Sequence, residues 1–155
     1  MTRDPRLALV VLAKAPQRGA DLGARIAAAH ADAAAVLPGL ATLQIGMGTP
    51  QVTASGLAEA GDELAGADAV LGPATDGGWW ALGLADPRAA ALVADVPTSR
   101  ADTGERTLAA LRRGGLRVAV LPTLRDVDTT ADAQAVAALA PATRFAAAVT
   151  ASALR

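Results

Sequence analysis

The chain has 155 residues, 52% of them hydrophobic and 19% charged, with a formal net charge of −1. This length predicts a single domain with a substantial core, and the balance of apolar and charged residues excludes a disordered chain. A charge so close to zero leaves no basic field for nucleic acid, and an aromatic content of 2% argues against an all-β sandwich.

Residue types that are scarce or absent exclude several kinds of chemistry. There is no cysteine, so disulfides, thiolate nucleophiles and zinc knuckles are excluded, and His30 is the only histidine. The apolar stretch Leu7–Ala13 is too short for a signal sequence or a membrane span. We therefore expect a soluble, cytoplasmic protein that binds neither nucleic acid nor membrane.

The first half of the chain alternates between predicted strands and helices. The continuous apolar run Leu7–Ala13 predicts a buried strand of a parallel sheet. An alanine-rich helix is predicted over Asp21–Leu37, followed by a short strand over Ala41–Gly46. Thr53 is a plausible N-cap for a helix that continues to about Leu64.

The second half continues this alternation. Three further strands are predicted, at Ala67–Leu71, Trp79–Leu84 and Leu116–Leu121. A helix over Asp102–Arg113 ends in two glycines, and a helix from Thr129 to Leu139 opens with a pair that resembles a capping box. The segment Ala142–Arg155 is either a last helix or a frayed tail.

Such alternation predicts one three-layer α/β/α domain with a mainly parallel sheet, formed by residues 1–155. Ligands of these sheets bind beyond the carboxyl ends of the strands. The loops expected to carry function are therefore Lys14–Gly19, Gly46–Gln51, Gly72–Gly78 and Arg125–Asp128.

Two of these loops lack a diagnostic motif. Lys14 could contact a phosphate as a point charge or be a solvated loop lysine, and neither a Walker sequence nor a G-x-G-x-x-G fingerprint accompanies it. Gly46 and Gly48 allow either a tight turn or a close approach of the backbone to a ligand.

The loop after the third predicted strand is the most unusual. Asp76 could accept a hydrogen bond from a sugar or bind a divalent cation, but Asp-Gly is also ordinary turn chemistry. Gly77 and Gly78 would let a ligand come close. The paired Trp79 and Trp80 are either core residues or a stacking wall.

Two carboxylates, Asp126 and Asp128, follow the last predicted strand. Their spacing suits Mg²⁺ or Mn²⁺, while aspartate near a helix N-terminus is also favoured by capping and the helix dipole. His30 lies inside an alanine-rich helix without a partner signal. This favours a packed or surface histidine over a catalytic one.

The order of these stretches resembles a bacterial family of small GT-A-like glycosyltransferases. This domain-of-unknown-function group includes arsenosugar-biosynthesis glycosyltransferase-like proteins and is related to 2-phospholactate guanylyltransferase. The matching stretches are LVVLAKAP at 9–16, GADLGAR at 19–25, QIGMGTPQ at 44–51, AVLGPATDGGWW at 69–80 and LPTLRDVDT at 121–129. They extend over most of the chain, and the stretch at 69–80 is the most specific.

The resemblance implies a nucleotide-diphospho-sugar transferase fold, a Mg²⁺ or Mn²⁺ ion, and transfer of a glycosyl or nucleotidyl group from a nucleotide-activated donor. It implies a catalytic role for Asp76, substrate binding by Lys14, Gly77, Gly78 and Trp79, and metal ligation by Asp126 and Asp128. The partner it implies is a nucleotide sugar or a nucleotide.

Two departures from the family pattern bear on activity. The family's first loop continues into a Gly-x-x-Lys-Thr-Arg-Leu stretch with further elements, whereas here Pro16 leads almost directly to Gly19. The chain is therefore expected to lack part of the N-terminal nucleotide-binding half. In addition, Gly48 stands where the family usually carries the aspartate expected to be the first metal ligand.

These departures predict impaired transfer activity. A nucleotidyltransferase of the 2-phospholactate guanylyltransferase type and a non-catalytic remnant that binds a sugar or a protein are the alternatives. Loss of the outer strands would also leave Leu7–Ala13 as an apolar sheet edge, through which we expect self-association.

Overall fold

Strands and helices alternate along the residues that the computed structural model describes, 7–11 and 21–153. The strands are β1 Leu7–Val11, β2 Ala41–Ile45, β3 Ala69–Pro73, β4 Trp79–Leu84 and β5 Val118–Val120. The α-helices are α1 Leu22–Val36, α2 Ala54–Gly66, α3 Thr103–Arg113, α4 Thr130–Leu139 and α5 Arg144–Ala153. A 3₁₀ helix over Pro87–Val93, which no sequence pattern predicts, lies between β4 and α3.

Helix starts follow from short polar side chains at the predicted positions. Asp21 accepts a hydrogen bond from the backbone N–H of the third residue of α1 at 2.8 Å, and Thr53 does the same for α2 at 3.1 Å. Thr129 and Asp132 form the predicted capping box of α4. None of the helices within the described residues is long and apolar enough to cross a membrane.

The strands form one sheet in the order β1-β2-β4-β3-β5. β1 pairs with β2 and β3 with β5 in parallel, while β4 is antiparallel to both of its neighbours. β4 follows β3 through a tight turn in which Gly77 adopts a φ of 89°. The sheet is thus mainly parallel, as predicted, with one strand reversed.

Helices cover both faces of the sheet, which confirms the three-layer α/β/α architecture. On one face α1, α3 and the 3₁₀ helix bury apolar side chains that include Ile26, Val93 and Leu111 against the sheet. On the other face α2 buries Ala60 and Leu64.

The strand β1 lies at one edge of the sheet, where Leu7 pairs with Ala41 of β2. Leu9 on this strand is 49% exposed. The edge position is therefore as expected for Leu7–Val11, whereas residues 12 and 13 of the predicted strand lie outside the described residues. Self-association through this edge stays a prediction.

A buried polar pair links α1 to the sheet. Nδ1 of His30 lies 2.7 Å from Oγ1 of Thr42, and neither residue has more than 1% exposed surface. His30 is thus a packed histidine. Burial lowers its pKa to about 4, although the nearby Gln44 side chain opposes the shift.

This burial predicts that acid destabilises the fold through His30. Because its pKa is about 4 when folded and 6.5 in the unfolded chain, the unfolded state binds more protons between these values. His30 therefore favours folding above pH 6.5 and loses up to about 3 kcal/mol of that contribution as the pH falls to 4.

The test is urea unfolding of the wild type and of the double variant His30→Leu/Thr42→Val from about pH 4 to pH 7. The double variant removes both polar partners, so no orphaned hydroxyl remains. We expect its free energy of unfolding to fall less on acidification than that of the wild type. Parallel pH profiles for the two proteins would contradict the prediction.

Candidate functional site

Loops from three parallel strands meet at the carboxyl edge of the sheet and are joined by backbone hydrogen bonds. The N–H of Val127, after β5, donates to the carbonyl of Gly48, after β2, at 2.8 Å. The N–H of Thr75, after β3, donates to the carbonyl of Leu124 at 2.9 Å. The segment 125–128 is thereby held between the other two loops.

A cavity of about 540 Å³ opens at this edge, a volume typical of small-molecule sites. α1, the end of β2, all three loops and the segment before α3 contribute to its wall. The lining residues are Leu22, Ile26, Gln44, Gly46, Asp76, Gly78, Trp79, residues 98–101, Thr103, Asp126 and Asp128.

Three carboxylates, of Asp76, Asp126 and Asp128, line the cavity. Burial raises the pKa of Asp126 to about 6, and the negative charges of Asp76, Asp128 and Asp132 add to the shift. Within the described part of the chain, no basic side chain forms an ion pair with Asp126. Among the described residues, negative charge without a paired cation is therefore concentrated on one side of the cavity.

These carboxylates do not form a complete metal cage. The described residues contain no group of three His, Cys, Asp or Glu side chains close enough to hold a metal ion. Mg²⁺, however, is usually held by one or two carboxylates and completed by substrate phosphates and water. The donor chemistry of Asp126 and Asp128 fits such an ion when a phosphorylated ligand completes its coordination.

Gly48 lies beside this acidic group. A Cβ built on Gly48 would lie 3.5 Å from Cγ of Asp126, an ordinary van der Waals distance. An aspartate side chain at position 48 would therefore reach the same carboxylate. The structure thus places the expected family ligand position next to Asp126, where this chain has no side chain.

The Asp76 loop is both a tight turn and part of the cavity wall. The N–H of Gly78 donates to Oδ1 of Asp76 at 2.8 Å, which is the ordinary Asp-Gly turn chemistry. Gly77 does not line the cavity. Its positive φ and the overlap that a Cβ would make with the carbonyl of Ala101 show that it serves the turn.

One of the two tryptophans is a core residue and the other lines the cavity, so each predicted alternative applies to one of them. Trp80 is 4% exposed in the core beneath the loops, and its Nε1 donates to the carbonyl of Pro122 at 3.0 Å. Trp79 is half-buried and lines the cavity. Only Trp79 is thus available to a ligand as an aromatic wall.

Lys14 lies outside the described residues, together with the rest of its loop. Among the cavity-lining residues that the structure describes, Arg100 is the only basic one, and its Nε pairs with Asp102 at 3.2 Å.

Sequence reasoning missed residues 98–101 and Gln44 as parts of the wall. Ser99 adopts a left-handed backbone conformation, with a φ of 59°, which the sequence does not predict. Gln44 could have been found, because it is a long polar side chain within the strand sequence ATLQI.

Comparisons with known proteins agree with this architecture. Residues 6–100 match the bacterial family described as "Uncharacterized protein conserved in bacteria (DUF2064)". A solved structure from Desulfovibrio desulfuricans G20, named a "putative nucleotide-diphospho-sugar transferase", is similar with 30% identity and a TM-score of 0.71. The similarity covers 83% of this chain and 56% of that one.

No curated protein is significantly similar to the chain. The family match nevertheless extends over more than half of the sequence, and the chain belongs to the DUF2064 family. The resemblance to a GT-A-like bacterial family and the nucleotide-diphospho-sugar transferase fold are thereby confirmed. The chain spans about half the length of the solved structure that it matches.

The raised pKa of Asp126 predicts a stabilising substitution within the site. Its pKa is about 6 when folded against 3.8 as a free side chain, so ionisation above pH 6 opposes folding. Asp126→Asn should raise the free energy of unfolding at neutral pH by on the order of 1 kcal/mol, allowing for solvent screening of a half-exposed group. The gain should vanish below about pH 4.

Urea unfolding of metal-free protein at both pH values measures this difference. Asp62→Asn is the matched control, since Asp62 is an exposed carboxylate on α2, which covers the opposite face of the sheet. A variant Asp126→Asn that is no more stable than wild type at neutral pH would contradict the prediction.

Proposed function

We propose that this member of the DUF2064 family binds a nucleotide-activated sugar in the cavity and transfers its glycosyl group with the help of a divalent cation. The observation that carries the proposal is the concentration of three carboxylates at the cavity. A diphosphate would be repelled by this group unless a cation lay between them. The name of the similar D. desulfuricans protein supports the same class of substrate.

In this proposal Asp126 and Asp128 hold Mg²⁺ or Mn²⁺. When bound, the ion would neutralise the charge that develops on the departing nucleoside diphosphate. The backbone hydrogen bond from Val127 to Gly48 fixes the segment between the two carboxylates. Both side chains are therefore presented from a segment whose backbone is already held in place.

Asp76 and Trp79 act on the sugar and its acceptor. Asp76 is exposed at the cavity and fixed by the Gly78 N–H. Its carboxylate suits a catalytic role in which it accepts a proton or a hydrogen bond from a hydroxyl group. Trp79 offers an apolar face to a sugar ring, and Gly78 keeps the backbone open at the same place.

A non-catalytic binding protein is the second candidate, and Gly48 favours it. Position 48 faces Asp126 but contributes no oxygen ligand, so the cation would be held by fewer protein groups. Weak metal binding would leave a protein that retains its ligand but transfers slowly.

We expect calorimetric titration to reveal nucleotide-sugar binding that depends on Mn²⁺. UDP-, GDP-, ADP- and dTDP-sugars form the panel, and a micromolar dissociation constant corresponds to about −8 kcal/mol. Asp126→Asn should abolish the metal-dependent part of binding, because it removes a charged oxygen ligand. Asp62→Asn, on α2, should bind like the wild type.

Folded wild-type protein that binds no nucleotide sugar would contradict the proposed function. If the nucleotide sugar bound equally well with and without Mn²⁺, only the proposed metal site would be contradicted. Binding without sugar transfer to water or to an added acceptor would favour the non-catalytic candidate.

Restoring a carboxylate at position 48 gives a separate prediction. Gly48→Asp should strengthen Mn²⁺ binding at least tenfold, since the new side chain would lie beside Asp126. Without metal it should lower the melting temperature through added repulsion. Met47→Asp is the control, because Met47 is 55% exposed and does not line the cavity.

Mn²⁺ titration followed by calorimetry or by the water relaxation rate measures the effect. If both variants strengthened Mn²⁺ binding equally, the added charge alone would explain the result and the placement of position 48 would be contradicted.

A further inference from the structure

A glutamine amide is buried at the floor of the cavity with most of its hydrogen-bonding capacity unused. Gln44 has 0% exposed surface, and neither Nε2 nor Oε1 of its amide is hydrogen-bonded within the described part of the chain. Leaving a buried polar group unpaired costs about 1–3 kcal/mol, and native proteins keep few such groups. Nε2 of His30 is unpaired as well, and Gln44 raises the pKa of that ring as a hydrogen-bond partner would. His30 can satisfy one N–H of the amide at most, so the other N–H and the carbonyl are left for a ligand.

The direction of the Gln44 side chain follows from its place in β2. Thr42, two residues earlier on the same face of the strand, contacts His30 of α1. Gln44 thus projects toward α1, and it lines the cavity together with Ile26 of that helix. His30 and Thr42 contact each other and are not part of the lining.

The surroundings of the amide suit a flat ring with a polar edge. Leu22 and Ile26 form an apolar wall and Trp79 an aromatic one, while the carboxylates of Asp126 and Asp128 contribute another part of the lining. A primary amide offers an N–H donor beside a carbonyl acceptor. Nucleobases present the complementary acceptor and donor side by side on one edge, and glutamine pairs with them in a bidentate manner.

We propose that Gln44 is a specificity-determining residue that binds the nucleobase of the donor through both ends of its amide. This inference rests on the proposed function, since it assigns the base of the same nucleotide whose phosphates the cation would hold. Because the amide has no exposed surface before binding, a side-chain rearrangement at the cavity floor must accompany the contact.

The experiment compares Gln44→Leu and Gln44→Met with the wild type in the presence of Mn²⁺. The ligands are UDP, GDP, ADP, CDP and the base-less ribose 5-diphosphate. We expect the wild type to bind its preferred nucleoside diphosphate at least about tenfold more tightly than ribose 5-diphosphate, the ratio expected of one bidentate pair. In both variants this ratio should fall below about threefold, while ribose 5-diphosphate binds as before.

Ligand-free stability gives a second readout. Both variants should melt at or above the wild-type temperature, because they remove unpaired buried atoms. The control is Thr42→Val, which loses the 2.7 Å contact with His30. We expect it to melt at a lower temperature and to retain the base preference.

Each contrary outcome has a distinct meaning. A base preference that persists in both Gln44 variants, or a wild type that binds ribose 5-diphosphate as tightly as any nucleoside diphosphate, would overturn the role of Gln44 and leave the proposed function intact. Loss of folding in both variants would also overturn it, because the amide would then serve the fold. A wild type that binds none of the ligands would overturn the proposed function and this inference together.

Discussion

The common direction of β2, β3 and β5 is the constraint on which the site depends. Because these strands run parallel, their carboxyl ends open at one edge, and the three loops that follow them must meet there. Backbone hydrogen bonds from Val127 and Thr75 then join the loops to one another. The position of Asp126 is therefore a property of the sheet, although the residue itself lies in a loop.

Two side chains at the same edge lower the stability of the folded protein. The carboxylate of Asp126 is half-buried beside other carboxylates, and the Gln44 amide is buried without a partner. Many polar side chains elsewhere form local hydrogen bonds, as in the caps of α1, α2 and α4. Proteins retain unfavourable groups mainly where function requires them, and two such groups line the same cavity here.

Much of the fold was predictable from local signals. The expected caps at Thr53 and Thr129, and the alanine-rich segment that begins at Asp21, predict helix starts that the structure confirms. The apolar runs predict the strands, but not that β4 would lie between β2 and β3, since strand order is decided by long-range packing. The acidic residues were identifiable, whereas residues 98–101 join the cavity only through the path of the chain between the 3₁₀ helix and α3.

Gly48 affects the balance of charge at the cavity. A fourth carboxylate at position 48 would add repulsion next to Asp126, whose pKa is already raised to about 6. A bound cation would offset this repulsion. In the proposed site, the phosphates of the donor would help to hold that cation. With glycine at position 48 the metal-free protein avoids the added repulsion, and Asp126 and Asp128 remain as the pair that a phosphorylated ligand could complete.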